Sequence, residues 1–123
     1  GCAESFASLV SLDYFLRKAL AKPEHRDHPL QQIPDEGRAR AVKLLGLAQK
    51  GDALSLALFD RQAEALGHLF VNLANAFDPH VILIGGGITE STEAFRTRYL
   101  ERCRAVFRKN AFPMQAEKTE ITY

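Results

Sequence analysis

Cysteine is scarce in this chain. Cys2 and Cys103 are the only two among 123 residues, which excludes the dense disulfide framework of a small secreted domain and suits a reducing cytosol, so a cytoplasmic protein is expected. An excess of one charge is missing too: 16 basic residues stand against 15 acidic ones, for a net charge of +1. That balance gives no global electrostatic pull toward nucleic acid or an anionic membrane, and neither is expected as a partner. No apolar run approaches the roughly 20 residues that span a bilayer. The N-terminus lacks the basic-then-apolar layout of a signal peptide. There is no initiator methionine: the chain opens on Gly1 and Cys2 and stops at "EITY" in an extended-looking segment, so it reads as a fragment. Internal repeats and low-complexity tracts are absent.

What is present suffices for a folded domain. With 46% hydrophobic residues and 8 phenylalanines, the chain can bury a core. Residues 5–21 read as a helix, because Phe6, Leu9, Val10, Leu16 and Leu20 recur at a period near 3.6 while Arg17 and Lys18 can face water. Residues 22–34, "KPEHRDHPLQQIP", hold three prolines, four charges and two histidines with little apolar periodicity. They predict a surface loop, the most mobile part of the chain. A second helix is expected from about Asp35 to Gln49, closed by Gly51 in a left-handed cap. Asp52 then caps a long helix reaching Phe77, apolar at Ala63, Leu66, Gly67, Phe70, Leu73, Ala74 and Phe77, with Leu69, Val71 and Ala76 on other faces.

Asp78 and Pro79 stop that helix. "HVILI" reads as a short strand apolar on both faces, as in a covered sheet. A further helix over residues 93–108 carries Phe95, Tyr99, Cys103 and Val106 on one side. Thr119, Ile121 and Tyr123 then alternate with Lys118, Glu120 and Thr122, as a strand begins. This order, helices followed by strand, glycine turn, helix and strand, is that of an α/β domain rather than a helical bundle.

Chemistry has few places to reside. Gly85, Gly86 and Gly87 follow the strand, where missing β-carbons would let a nucleotide lie against the backbone; a strand-to-helix turn needing positive φ explains them equally well. Neither G-x-G-x-x-G nor a phosphate loop ending in G-K-[ST] can be matched to "GGGITES". Cys2 with Glu4 pairs a thiolate with a carboxylate, yet one cysteine is not a metal site. His25 and His28 have a zinc-compatible spacing but sit in the proline-rich loop, where solvated side chains are the simpler reading. His68 and His80 read as structural. Arg96, Arg98, Arg102, Arg104, Arg108 and Lys109 spread around their helix, which fits a solvated face or a subunit contact better than a nucleic-acid stripe.

Three stretches together resemble the ROK family of sugar kinases and related repressors. "GCAESFAS" is similar to that family's "GC-x-E-x-[YF]-AS" segment. "AQKGDALSLALFDRQAEALGHLFVNLANAFDP" is similar to its "A-x-x-GD-x-x-A…LG…N-x-x-DP" helix, and "VILIGGGI" to its "[VI]-x-[VI]-GGG-[IV]" turn. Order and spacing agree over nearly the whole chain.

The resemblance implies an actin-like ATPase (ribonuclease H-like) fold of two α/β lobes with ATP and sugar in the cleft. Residues 1–123 would form a single partial domain, most of the C-terminal lobe, helix-rich with a small sheet. It implies an ATP-dependent, glucokinase-like hexose kinase using ATP and Mg²⁺, with hexose and ATP as partners and a homodimer as the assembly. Glu4 matches the glutamate that accepts hydrogen bonds from sugar hydroxyls, a task suited to a group with about four lone-pair sites and no donors. Gly85, Gly86 and Gly87 match the adenosine-contacting turn, and Cys2 the last cysteine of the family's zinc loop. With one of four zinc ligands, this chain is expected not to hold the metal. The phosphate-binding "DxGGT"-type turn and the catalytic aspartate are not found, so the fragment is expected to be inactive alone. Two other readings stand beside this one: the sugar-sensing part of a ROK-type transcriptional repressor, and a structural module whose glycines only turn the chain.

Overall fold

The structure, a computed structural model, describes residues 2–32 and 37–123, with positions 37 and 38 described in their backbone alone. The chain divides into two compact units, residues 1–62 and 63–123. The boundary falls inside the long helix expected to end at Phe77.

In the first unit, the helix expected over residues 5–21 is two helices, α1 (Glu4–Ala7) and α2 (Leu9–Leu20). Ser8 separates them: its backbone is extended at ψ 167 and its hydroxyl accepts from the Ser11 N–H at 3.1 Å, an N-cap that restarts the helix. The restart changes which face is buried. Leu12 and Leu16 go inside, while Phe6, Leu9 and Val10, expected on the buried stripe, stay exposed, Val10 at 79%. Asp13 accepts from Arg17 at 2.7 Å and from Arg40 of α3 (Gly37–Gln49) at 2.9 Å, tying α2 to α3. Burial alone would push the Asp13 carboxyl up, but these two guanidinium groups outweigh it and hold it below the usual carboxylate range. The start expected for α3, at Asp35, lies outside the described residues.

Residues 22–34 differ from the expected surface loop where they are described. Pro23–His25 and Pro29–Gln32 form 3-10 turns, and Leu30 is fully buried. His28 is not a solvated side chain either. Its Nδ1 accepts from the Leu30 N–H at 3.2 Å, so the neutral ring carries its proton on Nε2 and donates to Asp52 at 3.1 Å. Leu30 and Ile33, the two aliphatic residues among polar ones and prolines, gave no periodic signal, yet Leu30 and His28 anchor the segment.

The junction after α3 follows expectation. Gly51 sits at φ 89, its N–H donating to Ala48 O and that of Asp52 to Leu47 O, the paired bonds of a Schellman cap. Asp52 then caps α4 (Ala53–Phe77), accepting from the Ser55 N–H at 2.8 Å and the Ser55 hydroxyl at 2.6 Å. Burial raises the Asp52 carboxyl, and the Ser55 and His28 hydrogen bonds more than reverse that.

The second unit contains the rest of α4, then β1 (Val81–Leu83), α5 (Glu93–Asn110), α6 (Pro113–Lys118) and β2 (Glu120–Thr122). The strands pair in parallel with Ile82 opposite Ile121, and they form the whole sheet among the described residues. β1 is therefore not the covered strand expected: Ile84 just beyond it is buried, but Leu83 is 69% exposed and Val81 is exposed too. Phe77, expected on the apolar face of α4, is likewise exposed. Phe95, Tyr99, Leu100, Cys103 and Phe107 form the buried side of α5. α6 has no counterpart in the sequence reading, because six residues are too few for a periodic signal; Pro113 at its first turn and the Phe112 N–H to Asn75 Oδ1 bond at 3.0 Å set its start.

Gly67 decides how closely α4 and α5 approach. A Cβ there would lie 2.7 Å from the Val106 Cβ and 2.8 Å from the Cys103 carbonyl oxygen. Gly67→Ala is expected to lower Tm, because overpacking of about 1–3 kcal/mol outweighs the roughly 1 kcal/mol gained in helix propensity. A thermal scan showing a higher Tm would contradict this close approach. Asp52→Ala should cost about 1 kcal/mol in chemical denaturation through loss of the cap. Because the folded Asp52 carboxyl lies below its ordinary value of 3.8, its contribution is complete above that value and is lost as pH falls through the folded one. Asp52→Asn should keep most of the cap and flatten this acid limb.

Candidate functional site

The glycine turn grows directly from the end of β1. The Ile84 side chain is buried and its N–H donates to Thr122 O at 2.8 Å, so the sheet ladder fixes the chain up to the first glycine. Gly85, Gly86 and Gly87 are all exposed. Only Gly86 needs to be glycine for its backbone, at φ 91 and ψ −166, a region closed to side chains. At Gly85 and Gly87 no positive φ occurs, and a Cβ at any of the three would meet nothing within 4 Å among the described residues.

Downstream, a 3-10 turn over Gly87–Glu90 is locked by its own side chains. Thr89 donates its N–H and its hydroxyl to Gly86 O, at 3.0 and 2.8 Å. Ser91 donates its hydroxyl to Ile88 O at 2.6 Å. The Arg96 guanidinium donates through one nitrogen to Thr89 O at 3.0 Å and also to Ser91 O, and the Tyr123 hydroxyl donates to Arg96 O at 2.8 Å. Thr89 and Ser91 carry a readable signal, a hydroxyl three residues after the carbonyl it binds. Arg96, counted in sequence only among spread basic residues, carries none.

Glu4 opens α1 with its side chain exposed, and Cys2 is a free, exposed thiol whose carbonyl accepts from the Ser5 N–H at 3.0 Å. Cys2 and Glu4 are thus neighbours across one turn in the first unit, while the three glycines lie in the second. Among the described residues no group of three or more His, Cys, Asp or Glu could hold a metal ion. Cys2 alone does not fit a closed four-ligand zinc site. His68 and His80 are exposed. The basic residues of α5 make local pairs: Arg104 donates to Ile121 O at 3.1 and 2.8 Å and to Glu101 at 2.7 Å, and Arg108 lies 3.8 Å from Glu101. Among the described residues no helix is long and apolar enough to cross a membrane.

Comparison with known proteins gives these features a context. The chain is 30% identical to a glucokinase from Halalkalibacterium halodurans over 122 residues, covering 98% of this chain and 35% of that protein. It is 31% identical to a glucokinase from Thermotoga maritima over 93 residues, covering 76% of this chain and 29% of that one. The chain therefore spans about a third of the length of the relatives it matches. Among solved structures, it superposes on the ROK hexokinase from Thermus thermophilus with a TM-score of 0.65 at 24% identity, covering 99% of this chain and 35% of the other. That likeness bears out the expected fold class, a helix-rich α/β piece of an actin-like ATPase with a small sheet. The profile of the ROK family matches residues 1–120, the same span over which the cysteine–glutamate segment, the long helix and the glycine turn follow one another, and the chain belongs to the ROK family.

Proposed function

We propose that this chain is part of an ATP-dependent hexose kinase of the glucokinase type. Gly85, Gly86 and Gly87 form the adenine-side wall of its nucleotide site, and Glu4 accepts hydrogen bonds from sugar hydroxyls. One observation carries the proposal: the turn is thinner than its own packing requires. Only Gly86 needs glycine for its backbone, and a Cβ at Gly85 or Gly87 would touch no described atom of the protein. A backbone bared without internal need is what a ligand lying against it would use. The glucokinase names of the relatives support the kinase reading.

The reaction is transfer of the γ-phosphoryl group from ATP to a sugar hydroxyl, and Mg²⁺ bound with ATP neutralises phosphate charge during it. This chain's share is binding. The aspartate base and the phosphate-binding turn have no counterpart in its sequence, and no side-chain cluster among the described residues would hold a metal. A coupled assay with Mg-ATP and glucose should therefore detect no turnover by the 123-residue chain; turnover at ordinary kinase rates would refute its inactivity alone.

The glycines separate a ligand wall from a plain turn. In the full-length protein, Gly85→Ala and Gly87→Ala should leave Tm within about 1 °C, as surface changes do, while weakening ATP binding. Gly86→Ala should lower Tm as well, since a side chain in that backbone region costs about 1–3 kcal/mol. If neither Gly85→Ala nor Gly87→Ala alters the affinity for ATP, the glycines serve only the turn.

A further inference from the structure

The side chain that shapes the glycine turn is not in the turn. Arg96 closes the first turn of α5, where a cation faces the positive end of the helix dipole and gains nothing from it. Its guanidinium instead takes the carbonyl oxygens of Thr89 and Ser91. Thr89 and Ser91 in turn take those of Gly86 and Ile88. Four carbonyls between Gly86 and Ser91 are thus turned to donors of the protein itself. The N–H groups of Gly85, Gly86 and Gly87, on exposed residues, donate to no other backbone carbonyl among the described residues. Left to itself, an exposed turn offers donors and acceptors alike; this one has four of its six carbonyls from Gly86 to Ser91 occupied, while the three glycine N–H groups are left over.

We propose that Arg96 is the positioning residue of the nucleotide site. By holding Thr89 O and Ser91 O, it keeps the Gly85–Gly87 backbone in one shape and presents N–H donors to the acceptor atoms of an adenine nucleotide. The inference rests on the proposed role of the glycines as the adenosine wall. Tyr123 extends the brace, since its hydroxyl donates to Arg96 O and so links the first turns of α5 to the residue after β2. Arg96 touches no reacting atom in this account. Its effect on ATP is entirely through the turn, so ATP binding and not the chemical step should register its loss.

The test uses the full-length protein with Arg96→Gln, Arg96→Lys and, as a control on the same helix, Arg108→Gln. Two readouts are taken: steady-state KM and kcat for ATP and for hexose, and amide hydrogen exchange of peptides covering residues 85–91 with and without ATP. Arg96→Gln should raise KM for ATP about tenfold, in keeping with the loss of charge-assisted hydrogen bonds. Hexose KM should change less than about twofold, and residues 85–91 should exchange faster without nucleotide. Arg96→Lys, which can serve one carbonyl at a time, should fall between, and Arg108→Gln should match the wild type. Unchanged exchange in Arg96→Gln would overturn the brace, and faster exchange with an unchanged KM for ATP would overturn its bearing on nucleotide binding. Failure of ATP to protect residues 85–91 in the wild-type protein would instead remove the adenosine wall on which the inference rests. The exchange of Arg96→Gln without ATP would still report the brace separately.

Discussion

Gly86 holds φ 91 and ψ −166, and the second unit is organised around keeping it there. Glycine reaches that shape without steric cost but gives up more chain entropy than any other residue when confined to it. The shape persists only where neighbours over-determine it. Upstream, the parallel pairing of β1 with β2 runs one bond past the strand, to Ile84, so the chain enters the turn with its direction fixed. Downstream, Thr89 closes on Gly86 O through both of its donors, and Arg96 fastens the turn to α5. α5 is itself fixed against α4 at Gly67, where no side chain fits. A change at Gly67 would thus reach the turn through α5 without touching either glycines or ligand.

The first unit is governed by helix ends more than by apolar stripes. Ser8 restarts the helix and hands burial to Leu12 and Leu16; Gly51 and Asp52 end one helix and begin the next within a few residues. Asp52 also receives His28, so one carboxylate fastens both the cap of α4 and the proline-rich segment. Glu4 stands exposed on the short helix before the Ser8 break.

Much of this was legible in sequence, where the signal is chemical and local. Gly51, Asp52, Pro79 and the strand–glycine–helix order each rest on one residue type with one conformational demand, and each lies where expected. The face of α2 was not legible, because a period of 3.6 cannot register a phase shift introduced by a single serine. The exposure of Val81 and Leu83 was not legible either, since an apolar strand reads the same whether its sheet is covered or not. Of the residues proposed to act on a ligand, the glycines and Glu4 are visible as motif residues, while Arg96 is hidden: its contacts are with two carbonyls, and carbonyls have no sequence.

The titratable groups point to the same division of labour as the turn. A general base works best with a pKa near the working pH. Asp13 and Asp52 would be raised by burial, yet Arg17 with Arg40, and Ser55 with His28, carry both below the usual range. Hydrogen bonds from Lys118 and Gln115 do the same for Asp78 at the end of α4. Burial moves the other way on the Cys103 thiol and the Tyr123 phenol, each pushed up to about 12, so both stay protonated at neutral pH. The three carboxylates are lowered by contacts that also tie separate parts of the chain together, and the thiol and the phenol are raised by burial. The carboxylates are committed to caps and helix ties, and the thiol and phenol to the packing around α5. The exposed Glu4 carboxylate and the N–H groups of Gly85, Gly86 and Gly87, for which a ligand role is proposed, take part in none of these ties.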